Sequence, residues 1–303
     1  MSDDACDPPH PEPEPDQPAP GVAQAQAGLV LVSTPIGNLA DFSRRAVAAL
    51  EHADLVLCED TRVTSRLLLA YGISTRTAPL HEHNEDSRIP GILAMLRAGK
   101  SVALVSDAGT PLVSDPGYRL VRAAIAEDLP VGGIPGPNAA LLGLTLSGLP
   151  PHPFMFLGFA PPKAAARRVA LAGIRAMETA GLTATLIWYE APHRLAEFLA
   201  ALAEALGPRP AAVARELTKR FEEVRRAPLD VLAAHYAEHQ ARGEITVIVG
   251  PPEDSAPVAP DLDAQLEAAL ADHSLKEAVA LVTAATGLPR KQVYARALTL
   301  GSR

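Results

Sequence analysis

The sequence predicts an α/β protein with two α/β domains and a small helical appendage. Short, uniformly apolar runs alternate with amphipathic stretches, and polar turns rich in Gly and Pro follow those runs. An acidic, proline-rich segment, residues 1–27, precedes the first run. It carries six acids (Asp3, Asp4, Asp7, Glu12, Glu14, Asp16), no Lys or Arg and no periodicity, and is expected to be a disordered tail. It also lacks the basic-then-apolar pattern of a secretory signal.

Residues 28–150 read as the N-terminal α/β domain. Leu29-Val30-Leu31-Val32 is apolar throughout, as a strand buried on both faces must be. Asp41 is expected to cap a helix running to about His52, with Phe42, Ala46, Val47 and Leu50 on one face. A second strand, Leu55–Cys58, leads through Glu59-Asp60-Thr61 into a helix ended by Gly72 at its C′ position. Helix Ser87–Ala98, strand Val102–Val105 and a turn from Ser106 to Asp115 follow. There Asp115-Pro116 has the form of an N-cap with Pro at the first helical position. Strand Val131–Ile134, the turn Pro135-Gly136-Pro137 and helix Asn138–Ser147 complete the series.

Gly148 to Pro153 is the expected hinge into a C-terminal α/β domain, 151–250, with strands at Phe154–Phe159, Thr183–Tyr189, Ala211–Ala214 and Glu244–Val249. Residues 251–260 form a proline-rich linker. Residues 261–303 read as a helical, helix-turn-helix-like appendage around Gly287-Leu288.

Net charge is −8, but most of it belongs to the tail; the remainder holds 29 acids against 27 bases. Lys163–Arg226 carries 11 bases and 7 acids, and Asp272 to the end 5 bases and 2 acids. Two mildly basic regions can meet a phosphate backbone, and equally can be solvated helix faces. Two cysteines without CxxC spacing fit a reducing compartment, and a cytoplasmic location is expected.

In an open parallel sheet, ligands bind beyond the carboxyl ends of the strands. Four polar turns fall there: Ser33–Leu39, Glu59–Arg62, Ser106–Pro111 and Pro135–Asn138. No GxGxxG follows the first strand. Gly99-Lys100-Ser101 lacks the upstream glycine of a phosphate loop and precedes a strand. His81-Glu82-His83 has no third ligand at motif spacing, so no metal site is expected.

Ser33-Thr34-Pro35-Ile36-Gly37-Asn38-Leu39-Ala40-Asp41, Glu59-Asp60-Thr61-Arg62, His81-Glu82-His83-Asn84-Glu85, Val105-Ser106-Asp107-Ala108-Gly109-Thr110-Pro111 and Asp115-Pro116-Gly117 stand in that order. Pro135-Gly136-Pro137, Tyr189-Glu190 with His193-Arg194, Ala214–Lys219 and Gly243-Glu244 continue the series. Together they resemble the ribosomal RNA small-subunit methyltransferase I family, in the tetrapyrrole (corrin/porphyrin) methylase superfamily. One departure is Asn138, where that family usually has Ser or Cys.

The resemblance implies S-adenosyl-L-methionine bound in a cleft between the domains, and methyl transfer to the ribose 2′-hydroxyl of a cytidine near the decoding centre of 16S rRNA in the small ribosomal subunit. It also implies a homodimer. Contacts to the cofactor are expected from Pro35, Gly37, Asn38, Leu39, Ser106, Asp107, Ala108, Gly109, Thr110 and Pro111, and from Pro137, Ala139, Tyr189 and Glu190. The hydroxyl must lose a proton, and Glu59, Asp60, His83 and Glu216 are the candidate acceptors. Asp60 stands equally as a helix cap, and Arg215 with Glu216 as an ion pair. Arg62, Arg215 and Lys219 are candidates for RNA phosphates. A small-molecule methyltransferase of the same fold and a non-catalytic ribosome-assembly factor are the rival readings.

Overall fold

The computed structural model of the chain describes residues 27–252, 262–286 and 289–301; the acidic tail, most of the linker and the Gly287-Leu288 turn lie outside them. Residues up to Gly250 form one compact unit and those from Pro251 a second.

The first sheet contains β1 (Gly28–Val32), β2 (Leu55–Cys58), β3 (Thr77–Pro79), β4 (Ser101–Val105) and β5 (Val131–Ile134). All are parallel, in the order β3-β2-β4-β1-β5. The helices α1 (Arg44–His52), α2 (Thr61–Ala70), α3 (Glu85–Arg97) and α4 (Tyr118–Ala126) connect them. One core layer joins Leu29, Leu57, Leu104 and Leu120; another joins Val32, Val56, Val105, Leu50 and Leu68. Apolar runs without alternation arise because both faces of these strands are covered.

Three expectations are corrected in this half. Helix α1 is capped by Ser43, whose Oγ accepts from the Ala46 amide at 3.1 Å, while Asp41 ends a separate 3₁₀ turn, Leu39–Asp41. Helix α3 starts at Glu85, ahead of Ser87. The third concerns α4, which begins at Tyr118 behind Gly117 at φ +117°, so Asp115 caps no helix. A Cβ at Gly117 would also lie 2.5 Å from Leu104 Cδ2, so glycine suits both the backbone and the space.

The second sheet is mixed. It contains β6 (Phe154–Phe159), β7 (Thr185–Glu190), β8 (Pro210–Arg215), β9 (Glu223–Pro228) and β10 (Ile245–Val249), in the order β6-β7-β10-β8-β9. Only β6 and β7 pair in parallel. One face carries α6 (Ala164–Thr179), α7 (Leu195–Leu206) and α8 (Leu229–Glu238), with Phe198 of α7 buried among Leu186, Trp188, Val213 and Val247 of the sheet. The other face is covered by α5 (Ala139–Ser147), the last helix of the first half. Ala140 and Leu144 of α5 are buried with Ile187, Ala212, Ala214 and Ile248. Apolar on most sides, α5 therefore belongs to both halves and makes them one body.

The second unit consists of α9 (Leu262–Asp272), α10 (Leu275–Thr286) and α11 (Arg290–Gly301). Their mutual core is Leu266, Val279, Val282, Val293 and Ala297, and Arg296 pairs with Asp263 across it.

A buried ion pair closes the second sheet. Arg209 Nη1 and Nη2 donate to Glu178 at 2.7 and 3.0 Å, and the guanidinium also reaches the Leu206 and Gly250 carbonyls. Both side chains are under 5% exposed, 4% for Arg209 and 2% for Glu178. Glu178→Ala would strand that cation away from water. It is expected to lower unfolding free energy by about 3–5 kcal/mol, measured by urea denaturation.

Candidate active site

Three loops leave the carboxyl edge of the first sheet side by side and are stitched together. The Thr34 amide donates to the Gly109 carbonyl at 2.9 Å, and the Gly109 amide returns to Thr34 at 3.1 Å. Thr34 Oγ1 donates to the Ser106 carbonyl at 3.2 Å, and Ser106 Oγ to the Gly109 carbonyl at 3.0 Å. Gly109 sits at φ +83°, where its missing side chain also leaves room for Ile36. The third loop joins through Thr110 Oγ1, which donates to the Pro137 carbonyl and accepts from Asn138 Nδ2, both at 3.2 Å. Asn138 Oδ1 accepts from the Leu141 amide and caps α5. The asparagine that departs from the family pattern thus ties a loop to a helix.

Between this edge and the second sheet lies a cavity of about 430 Å³. The first half contributes Ile36, Asp107 to Thr110, Val113 to Asp115, Asn138 and Ala139; the second contributes Phe159, Tyr189 to Pro192, Leu217 and Gly243 to Thr246. Tyr189 spans the halves, its hydroxyl oxygen accepting from the Ala140 amide of α5 at 3.2 Å. Its ring meets Phe156 edge-on, with centroids 4.9 Å apart.

Of the expected cofactor contacts, Asp107, Ala108, Gly109, Thr110, Ala139, Tyr189 and Glu190 line this cavity; Pro35, Gly37, Asn38, Leu39, Ser106, Pro111 and Pro137 do not. Ile36 takes the lining position of the first loop. Ser106 is buried as an internal strut of the second loop, and Asn38 accepts from the Ala40 amide to cap the 3₁₀ turn. Gly37 lies under Lys219, whose Cγ is 2.4 Å from where a Cβ would stand. Glu190 is buried, accepting from the Ala191 amide at 2.8 Å and pairing with Arg194 at 3.1 Å; burial raises its pKa.

None of the four acceptor candidates lines the cavity. Asp60 accepts from the Arg62 amide at 2.8 Å, capping α2, and pairs with the Arg62 guanidinium. Those bonds hold its pKa down at about 2. Glu216, at φ +51°, accepts from Lys219 Nζ at 2.9 Å and the Glu244 amide at 3.1 Å, and Lys219 foremost holds its pKa low. His83 lies beside His81, ring centroids 6.0 Å apart. Glu59 has its pKa raised by burial first, then by Asp107 and Glu82. Arg215 donates to Glu223 at 2.6 Å, so all three expected phosphate ligands, Arg62, Arg215 and Lys219, carry acidic partners.

The sequence reading missed Asp115. The segment that delivers it is left-handed at Leu112 (φ +69°) and Ser114 (φ +73°). Burial, then Glu59 and Asp107, push its pKa up to about 7.

Residues 28–233 match the model of the Tetrapyrrole (Corrin/Porphyrin) Methylases, and 256–301 that of the RsmI C-terminal HTH domain. The Ribosomal RNA small subunit methyltransferase I of Mesorhizobium japonicum is 50% identical over 274 residues, 90% of this chain and 92% of its own. That of Escherichia coli O157:H7 is 42% identical over 274 residues, 89% and 94%. The chain belongs to the ribosomal RNA small subunit methyltransferase I family. It is accordingly a methyltransferase of tetrapyrrole-methylase fold. Solved structures repeat that fold: the methyltransferase CobJ covers 76% of this chain and 98% of its own at 19% identity, TM-score 0.54. Diphthine synthase covers 73% and 90% at 15% identity, TM-score 0.54.

Gly109→Ala is expected to destabilise the protein by about 1–2 kcal/mol, the cost of a side chain in the left-handed region. Denaturant titration of the variant checks it.

Proposed function

We propose that this chain transfers the methyl group of S-adenosyl-L-methionine to the ribose 2′-hydroxyl of a cytidine near the decoding centre of 16S rRNA in the small ribosomal subunit. The observation that carries the cofactor reading is the charge of the cavity. Among the described residues its lining includes the acids Asp107, Glu190 and Glu244 and no Lys or Arg, and so suits a ligand bearing a sulfonium and an ammonium. Its volume, about 430 Å³, lies within the roughly 300–1,000 Å³ typical of sites for ligands of this size. Ile36, Phe159 and Leu217 supply the apolar wall.

S-adenosyl-L-methionine supplies an already electrophilic methyl, so the protein's work is alignment and removal of one proton. Ala108, Gly109 and Thr110 present backbone at a fixed edge, and Tyr189 and Glu190 close the opposite wall. Identity of 42–50% along about 90% of the chain to proteins named for small-subunit rRNA supports the RNA substrate, as does the matched C-terminal domain. Arg62, 85% exposed at its side chain, can exchange its bond to Asp60 for a phosphate. The family resemblance supports a homodimer working in the cytoplasm, where ribosomes are. No helix among the described residues is long and apolar enough to cross a membrane.

Small subunits lacking the native modification, incubated with radiolabelled S-adenosyl-L-methionine and digested for mass spectrometry, are expected to carry one methyl on a ribose 2′-oxygen. Label on a tetrapyrrole precursor and none on RNA would replace this reading with the small-molecule one.

A further inference from the structure

Asp115 has no hydrogen bond or ion pair among the described residues, although its carboxyl is half-buried in the cavity wall. Most other acids around it are engaged. Asp107 Oδ1 accepts from the Asp60 amide at 3.1 Å, Glu190 holds Ala191 and Arg194, and Glu244 pairs with Lys219 at 3.0 Å. The backbone goes out of its way to place Asp115 there. Two non-glycine residues, Leu112 and Ser114, adopt left-handed angles that cost about 1 kcal/mol or more each. Ser114 in turn reaches β6, its Oγ 3.5 Å from where a Cβ at Gly158 would stand. A segment from the first half thus crosses to the second sheet and leaves one unpartnered carboxyl facing the cleft.

Resting on the methyltransferase reading above, we propose that Asp115 is the catalytic residue that takes the proton from the attacking ribose hydroxyl. The ribose oxygen bonds the methyl carbon as the methyl–sulfur bond breaks. The electron pair of that bond stays on sulfur, giving a neutral thioether, and the hydroxyl proton passes to a carboxyl oxygen of Asp115. Charge balances: one cation and one carboxylate give two neutral groups. The groups facing Asp115 are Glu59 beyond β2, Asp107 beyond β4, Tyr189 and Glu190 of β7, and Glu244 ahead of β10; no cation among the described residues lines the wall. A carboxyl so placed titrates near about 7, where a general base is most effective.

With the pKa raised in the fold, ionising Asp115 works against folding as pH rises through about 7. Asp115→Asn is therefore expected to melt no lower than the wild type at pH 8. The base works ionised, so wild-type kcat/KM climbs with pH and levels off above about 7.

The experiment combines three readouts on the full chain. Carboxyl carbon NMR of the ligand-free protein should show one resonance titrating near pH 7, absent from Asp115→Asn. Calorimetry should show S-adenosylhomocysteine binding to Asp115→Asn within about threefold of wild type. Single-turnover transfer to unmodified small subunits should fall about 100-fold or more in that variant, lose its pH inflection, and recover in part in Asp115→Glu. A rate within fivefold of wild type with the inflection kept overturns the proposal, as does a matched loss of ligand binding. Failure of the wild type itself to label RNA would instead refute the substrate reading, and the NMR titration stands apart from that outcome.

Discussion

The site depends on one constraint: three loops from one sheet edge must be held against one another closely enough to act as a single wall. The reciprocal pair of amide bonds between Thr34 and Gly109 does this, and it requires a residue that tolerates φ +83° beside Ile36. Thr110 and Asn138 extend the stitch to the loop ahead of α5. Because that helix is also buried against the second sheet, the same wall fixes the opposing half. Rigidity reaches the cleft through backbone and buried helix.

The chemistry sits on the part of the wall that departs from regular structure. Asp60 and Glu216 are spent on caps and lysine pairing, and their low pKa values follow from those bonds. Asp115 differs because no hydrogen bond or ion pair among the described residues engages it. A group left that way weakens the fold when ionised, and such positions mark functional sites more often than structural ones.

Much of the first half was legible in the sequence because β1, β2 and β4 lie inside the sheet and read as plain apolar runs. β3 escaped notice: Thr77-Ala78-Pro79 is three residues long, sits at the sheet edge and ends in proline. β9 escaped for a related reason, since Glu223-Val224-Arg225-Arg226 is a charged edge strand and lies in a basic stretch. The insertion of β10 between β7 and β8 is set by long-range pairing that no local pattern records. In the site, the Ser106–Pro111 loop was readable from its Gly and Pro. Asp115 was not, because Asp-Pro has the form of a helix start; the glycine two residues on takes the cap position instead and frees the acid.

The cavity between the sheets is the place for S-adenosyl-L-methionine, and Asp115 faces what attacks it. The most direct measurement is a crystal structure with S-adenosylhomocysteine. The ligand is expected between Ala108–Thr110 and Tyr189, with the Asp115 carboxyl near its sulfur side and free of its ammonium. A ligand outside this cavity, or one whose ammonium is bonded to Asp115, would contradict this placement.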